Sequence, residues 1–269
     1  MRSPFEFLLT GSFSQRSVRA RWAFQYTTVP SEVEKLIAES WALAEIEAAT
    51  RGQELFAGPM TRLLRWSSSD GTLTLDLGPT DYRQFVGTNL RHPELARKYG
   101  RDALANPLGV SAAVFTSDGH IVVQRRSEHV FEYPGYFHVC GGNVEPVDVE
   151  GPNAPGVFAA VRRELDEELG IGDAQIADIT CLGLSENRAT LKPDLLFAAE
   201  VTLTADAFAA TGNAEYSDLV FIGGEASLAE YLIENSHRCS PPGIACLLAA
   251  GRRAYGDAWY ECLMKSGKV

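Results

Sequence analysis

The chain is short of several things that would have fixed its class at once. It has five cysteines in 269 residues, Cys140, Cys181, Cys239, Cys246 and Cys262, and no Cys-x-x-Cys pair. An odd, scattered set of that kind argues against a disulfide framework or a structural zinc site and for a reducing, cytoplasmic setting. No stretch approaches the roughly 18 consecutive apolar residues that span a bilayer. The start, MRSPFEFLLTGSFSQRS, has an apolar run broken by Glu6 and no clear small-residue cleavage site, so it reads poorly as a secretory signal. There is no internal repeat and no low-complexity tract.

Positive charge is also scarce, and unevenly so. Residues 1–106 carry 13 Lys and Arg against 12 Asp and Glu, a net of +1, whereas residues 107–269 carry 11 against 23, a net of −12. A long nucleic acid would be repelled by the second part. An acidic domain that acts on a small anion needs something positive between them, and a divalent cation is one candidate.

What is present reads as an α/β protein in two parts that pack together, with the joint near residues 103–108: an N-terminal α/β domain over 1–106 and a larger domain over 107–269. In the first part, FEFLLTG and VRARWAFQY read as strands, the second from the alternation of Val18, Ala20, Trp22, Phe24 and Tyr26. PSEVEKLIAESWALAEIEAATRG is a helix, with Ser31 as cap, Glu34 completing a capping box and Gly52 as its stop. TRLLRWSSSDGTLTLDLG is a hairpin turning at Asp70-Gly71. Two short helical stretches, DYRQFVGTNL and PELARKYGRDAL, lead to Pro107. In the second part, LGVSAAVFTSDGHIVVQRRS is another hairpin, YFHVC is a short strand ending at Gly141-Gly142, and a helix runs from about Gly156 to Leu169 with Gly170 closing it. ADITCLGLSE, PDLLFAAEVTL and YSDLVFIG are strands, and ASLAEYLIEN and PPGIACLLAAGRRAYG are helices.

The helix before Gly170 contains RRELDEELG. Phe158, Val161, Leu165 and Leu169 form one apolar stripe. Glu164, Glu167 and Glu168 stand at i, i+3 and i+4, and each such like-charge pair costs on the order of 0.2–0.5 kcal/mol. Arg163 can offset part of this by pairing with Glu167. One reading is a solvated, salt-bridged face. The other is a site for Mg²⁺ or Mn²⁺, whose preference for hard carboxylate oxygens turns repulsion into coordination.

The order strand, Gly-Gly corner, loop, acidic helix resembles the Nudix hydrolases. Their signature is Gly, five residues, Glu, seven residues, then Arg-Glu-apolar-x-Glu-Glu-x-Gly-apolar, and Arg163 to Ile171 matches the second half throughout. The first half departs from it. Gly142 is matched, Asp148 stands where Glu is expected, and VEGPNAP looks like a seven-residue loop insertion that leaves the role of Asp148 open. The resemblance implies a Nudix fold, an α/β/α sandwich with a mixed sheet, preceded here by the smaller N-terminal domain. It implies a cation-dependent pyrophosphohydrolase of nucleoside diphosphate derivatives, with Mg²⁺, or Mn²⁺, held by Glu164, Glu167, Glu168 and the carbonyl of Gly142, with Arg163 orienting the glutamates and Glu215 as a further ligand or general base.

Within the family, LGPTDYRQFVGTN, PGYFHVCGGNVEP and LGLSEN resemble the members that split UDP-glucose and UDP-galactose, and related plant proteins. That resemblance implies UMP and hexose 1-phosphate as products. One of Arg125 and Arg126 is a candidate for a phosphate, since successive strand residues point oppositely. Tyr82, Phe85 and Asn89 are candidates for the base, although both aromatics could equally be core, and Asn187 is a candidate for the sugar. His138 reads as structural. Other diphosphates (ADP-ribose, dinucleotides, coenzyme A derivatives) and a non-catalytic nucleotide-sugar-binding module are the alternatives. The expected partner is a small molecule, with no long nucleic acid and no membrane.

Overall fold

The computed structural model describes residues 3–24, 28–52, 55–151, 154–209, 216–267 and 269. Two sheets organise the chain, and the short helices α2 (Tyr82–Phe85), α3 (Leu95–Tyr99) and α6 (Ala205–Ala209) lie in the connections between their strands. The smaller has the order β2-β4-β3, built from β2 (Val18–Trp22), β3 (Pro59–Ser69) and β4 (Thr72–Asp81). β3 and β4 form the expected hairpin, with Asp70 and Gly71 both at positive φ, as a two-residue turn matched to strand twist requires. β2 ends sooner than its alternation suggests, and Tyr26 lies outside the described residues.

The larger sheet has the order β1-β9-β10-β5-β6-β11, formed by β1 (Phe5–Phe13), β5 (Gly109–Phe115), β6 (His120–Arg126), β9 (Ile176–Asn187), β10 (Pro193–Val201) and β11 (Tyr216–Gly223). Two short strands are added to it: β7 (Phe137–His138) pairs with β6, and β8 (Cys140–Asn143) pairs with β5. β10 and β5 run parallel and the other pairs of this sheet run antiparallel. β1 comes from the first 106 residues but is an edge strand here, so the division between sheets does not follow the joint near residue 106.

Both faces of this sheet are covered, which is why its central strands are nearly continuous runs of apolar residues. Val110, Ala112 and Val114 of β5 and Leu195, Phe197 and Ala199 of β10 pack against Phe158, Val161, Leu165 and Leu169 of α5 (Val157–Leu169). The alternate residues Ala113, Leu196 and Ala198 meet the helices of the other face, α7 (Gly224–Asn235), α8 (Pro241–Tyr255) and α9 (Asp257–Lys265). The result is an α/β/α sandwich. The small sheet joins the α5 side through Leu63, Leu73, Leu75 and Leu77.

Three further local expectations change, and a fourth, the insertion, is as expected. α1 (Ser31–Thr50) begins at Ser31 itself, and the Pro30 carbonyl accepts the amides of Val33 and Glu34. Ser31 is therefore inside the helix, and no capping box forms. Gly141 and Gly142 lie within a strand, β8, rather than after one. α9 had not been expected. Its Trp259 and Leu263, one turn apart, are buried against the α8 side of the sheet. The insertion before α5 is closed at its base. A single-turn helix, α4 (Pro146–Val149), precedes it, and the Gly156 amide donates to the Asp148 carbonyl at 2.8 Å, so the extra residues leave and return at one point. The four buried cysteines and the exposed Cys262 are all free thiols. No described helix is long and apolar enough to cross a membrane.

Candidate active site

α5 directs its two kinds of residue by spacing alone. Glu164 and Glu168, four apart, point the same way and are buried, at 8% and 5% exposure, beside the glycines of β8. Gly142 is required there: a Cβ at that position would collide with the Glu164 carboxylate. The Glu168 carboxylate accepts from the Gly141 amide at 2.9 Å and from Gln124 Nε2 at 2.8 Å. Glu167 is exposed, and its carboxylate accepts from Arg163 at 3.2 Å. The helix thus brings two of the three glutamates together and turns the third outward.

Arg163 ties this cluster to the loop that precedes it. Its guanidinium donates to Glu164 at 2.8 Å, to the Asn143 carbonyl at 2.9 Å and to Asp148 at 3.4 Å. Burial works against its charge, but Glu164, Asp148, Glu145 and Glu167 outweigh it and hold the group protonated. Asp148 is buried, and its carboxylate also accepts the Glu145 amide at 2.9 Å. Its place is therefore with Arg163, capping α4.

The carboxylate pair is electrostatically strained. Burial, then the charge of Glu168, pushes the Glu164 carboxyl up from 4.5 to about 7, while Arg163 acts in the opposite direction. A bound cation would relieve that strain, and the donors, two desolvated carboxylates beside the glycines of β8, suit a hard divalent ion. No group of three or more His, Cys, Asp or Glu side chains is gathered to hold a metal ion among the described residues. Glu164 and Glu168 are two such donors, and Glu167 would have to leave Arg163 to join them.

Gly141 and Gly142 also line a cleft at the end of the large sheet, with a cavity of about 80 Å³ opening to solvent. The cleft holds two cations, Arg126 and Lys192, and two acids, Glu132 and Asp194. Arg126 lines it, with Nε donating to the Glu132 carbonyl at 3.0 Å. Arg125 turns away, towards the Gly135 carbonyl and Glu128. Lys192 lines the cleft, paired with Glu132 at 3.2 Å. His138 contributes a ring whose Nδ1 lies 2.6 Å from Ser240 Oγ, the cap of α8, which itself accepts the Gly243 amide. If the hydroxyl gives its proton to Nδ1, the imidazole proton stands on Nε2. Burial first, then Arg126 and Lys192, pushes the His138 pKa well below 6.5, so the ring is neutral.

The remaining expected residues divide. Asn187 lines the cleft, where its Nδ2 donates to Tyr133 Oη at 2.5 Å. Asn89 does not reach it. It is fully buried, donates to the Thr190 carbonyl at 3.0 Å and accepts the Asn106 amide at 2.8 Å, so its amide is consumed in fastening the two parts of the chain together. Tyr82 sits in an aromatic cluster with Trp41, Phe85 and Phe131, and it supports from behind the segment that carries Glu132 and Tyr133. Phe85 is core. Glu215 lies outside the described residues. His138, Lys192 and Asp194 line the cleft but were not singled out for it from sequence. Lys192 and Asp194 flank Pro193 at a strand start, which was the one local hint.

Residues 105–215 match the NUDIX domain family. The uridine diphosphate glucose pyrophosphatase NUDT22 of Mus musculus is 32% identical over 177 residues, 56% of this chain and 58% of that protein. The protein of the same name from Homo sapiens is 31% identical over 156 residues, covering 50% and 51% of the two chains. Nudix hydrolase 9 of Arabidopsis thaliana is 33% identical over 149 residues, 46% of this chain and 47% of that one. The chain thus spans about half the length of the curated relatives it matches.

Proposed function

The chain belongs to the Nudix family through the domain at residues 105–215, and on that premise we propose that it hydrolyses the diphosphate bridge of a nucleotide sugar, UDP-glucose or UDP-galactose, giving UMP and hexose 1-phosphate with the help of a divalent cation. The observation that carries this reading is the convergence of two buried, mutually repelling carboxylates, Glu164 and Glu168, on the glycine strand that floors a cleft bearing cations. Two related proteins named as UDP-glucose pyrophosphatases support the choice of substrate.

Glu164 and Glu168, with Glu167 and the Gly142 carbonyl, would hold Mg²⁺ or Mn²⁺. Such an ion supplies Lewis-acid neutralisation of the diphosphate and makes nearby water more acidic. The chain's own groups do the rest. Arg163 fixes the glutamates against the loop. Arg126 faces the diphosphate, and His138, neutral at Nε2–H, donates a hydrogen bond without adding charge. Gly142 leaves room for the Glu164 carboxylate, and Gly141 for the adjacent strand β5. Glu215 is retained as a candidate base. Water adds to one phosphorus, the bridging P–O bond breaks, and the departing phosphate takes up the proton.

The test is ³¹P NMR of the purified chain with UDP-glucose, UDP-galactose, ADP-ribose, a dinucleotide and a coenzyme A derivative, with Mg²⁺, Mn²⁺ or EDTA. The expected result is UMP and hexose 1-phosphate, formed with metal and not with EDTA. A clear preference for adenine substrates would reject the uridine assignment. Binding without turnover under any metal would make the domain a nucleotide-sugar sensor instead.

A further inference from the structure

Asp194 is the cleft residue whose chemistry the phosphate-binding groups leave unexplained. It opens β10, opposite Gly109 on the parallel neighbour β5 and opposite Ser185 on the antiparallel neighbour β9. Since Leu195 and Phe197 face α5, Asp194 faces the other side of the sheet, with the cleft. Its carboxylate occupies the space over Gly109, where a Cβ would collide with it. It is 6% exposed, and its Oδ1 is buried with no hydrogen-bond partner among the described residues. The Ser185 hydroxyl, on the same face, is likewise buried and unpartnered, and the Ser111 hydroxyl lies against the Asp194 carboxyl and favours its charged form. Lys192 is engaged with Glu132 rather than with Asp194. A buried carboxylate oxygen left without a donor is a cost that a fold rarely retains without use.

We propose that Asp194 recognises a sugar hydroxyl of the bound nucleotide sugar, accepting its hydrogen bond at Oδ1. This rests on the reading of the protein as a nucleotide-sugar hydrolase and names the part of the substrate that the cleft reads. The argument is one of complementarity. Arg126 and Lys192 suit phosphate oxygens, whereas a carboxylate repels them and calls for an uncharged donor. On a nucleotide sugar the abundant donors of that kind are the hydroxyls of ribose and hexose. Ser111 and Ser185 extend the same patch with groups that accept or donate.

The experiment compares wild type, Asp194→Ala and Asp194→Asn as full-length chains with Mg²⁺. The substrates are UDP-glucose, analogues lacking single hexose hydroxyls, and an analogue lacking the ribose 2′-hydroxyl. Burial raises the Asp194 carboxyl to about 7, so at pH 8.5, where it is ionised, deleting the recognised hydroxyl in wild type lowers kcat/KM by about 10- to 100-fold, as expected for a hydrogen bond to a charged acceptor. In Asp194→Ala, UDP-glucose is impaired to a similar degree and that same deletion costs nothing further, while Asp194→Asn, which keeps an acceptor oxygen, retains part of the discrimination. The analogue that couples distinguishes hexose from ribose. Without ligand, both variants melt at or above the wild-type temperature, because an unsatisfied charge is removed. Equal losses on every analogue, or lower melting with discrimination intact, would overturn the proposal and make Asp194 structural. If wild type turns over no nucleotide sugar, the hydrolase reading is what fails. The same couplings are then read from calorimetric binding of UDP-glucose and its deoxy analogues, and absence of coupling there overturns this proposal in its own right.

Discussion

Replacing Glu164 by Gln should stabilise the metal-free protein while removing its activity, and the size of the effect follows from the burial of that carboxyl. Its folded pKa of about 7, against 4.5 when free, reflects burial first and the Glu168 charge second. A difference of roughly 2.5 units corresponds to about 3 kcal/mol. The sign is that of an acid with a raised folded pKa. Below pH 4.5 the group is protonated in both states and costs nothing. The cost grows as pH rises through the window from 4.5 to 7 and is complete above it. That difference in pKa already includes the favourable Arg163 contact at 2.8 Å, and Arg163 keeps Asn143 and Asp148 when Gln replaces the carboxylate. The net gain is therefore about 3 kcal/mol at pH 8, or on the order of 6–12 °C in Tm, and close to zero at pH 4.5. Calorimetry in EDTA at the two pH values measures it. Turnover with Mg²⁺ should fall by at least about a hundredfold. A Tm change that is the same at both pH values, or a loss at pH 8, would refute the reasoning, because burial and charge repulsion could then not be what strains the site.

Glu167→Gln and Glu168→Gln should each reduce turnover by at least about a hundredfold. The metal-free melting temperature should rise for Glu168→Gln and stay unchanged for Glu167→Gln, whose carboxylate is exposed. Arg163→Ala should lower kcat by about tenfold or more and destabilise by about 1–3 kcal/mol, read from kinetics and urea melts, since it leaves Asp148 and the Asn143 carbonyl without their shared donor. Asn89→Ala should cost about 2–4 kcal/mol by stranding the Asn106 amide and the Thr190 carbonyl, with KM for UDP-glucose unchanged; a raised KM would return Asn89 to the cleft. Excising residues 149–155 should leave kcat within about threefold of wild type, because the loop enters and leaves at the Asp148–Gly156 hydrogen bond.

Features written in neighbouring residues were legible in the sequence: both hairpins, the helix stripe ending at Gly170, and the facing of Glu164 and Glu168 that follows from their spacing of four. What local pattern cannot carry was not. Asn89 looks like any amide near aromatics until its acceptor, Thr190, arrives from 101 residues away. Asp194 and His138 become cleft residues because β10, β7 and the start of α8 end at the same edge of the sheet, and no window of sequence contains all three. The capping box at Ser31 failed because Pro30 already supplies an acceptor for the first amides. α9 was legible in principle from Trp259 and Leu263 one turn apart, but it is short and follows Gly256, which closes α8 and so resembles the end of the helical region.

The distribution of charge gains a physical meaning from the site. Residues 107–269 carry a net of −12, yet the substrate we propose is itself an anion. The glycine strand resolves the conflict by having two sides. Towards α5 stand the buried carboxylates Glu164 and Glu168, and the cleft carries Arg126, Lys192 and the neutral His138 ring. Without a cation the cleft groups could hold a phosphate, but the carboxylates would oppose it across the two glycines of β8. With a divalent ion between, the same carboxylates become the reason the phosphate stays. Affinity for UDP-glucose and affinity for Mg²⁺ must then rise together and by the same factor, as linkage requires. Titrating each in the presence and absence of the other measures both factors. Unequal factors would point to a second binding mode, and two factors of one would mean that the acidic helix and the cleft are not parts of one site.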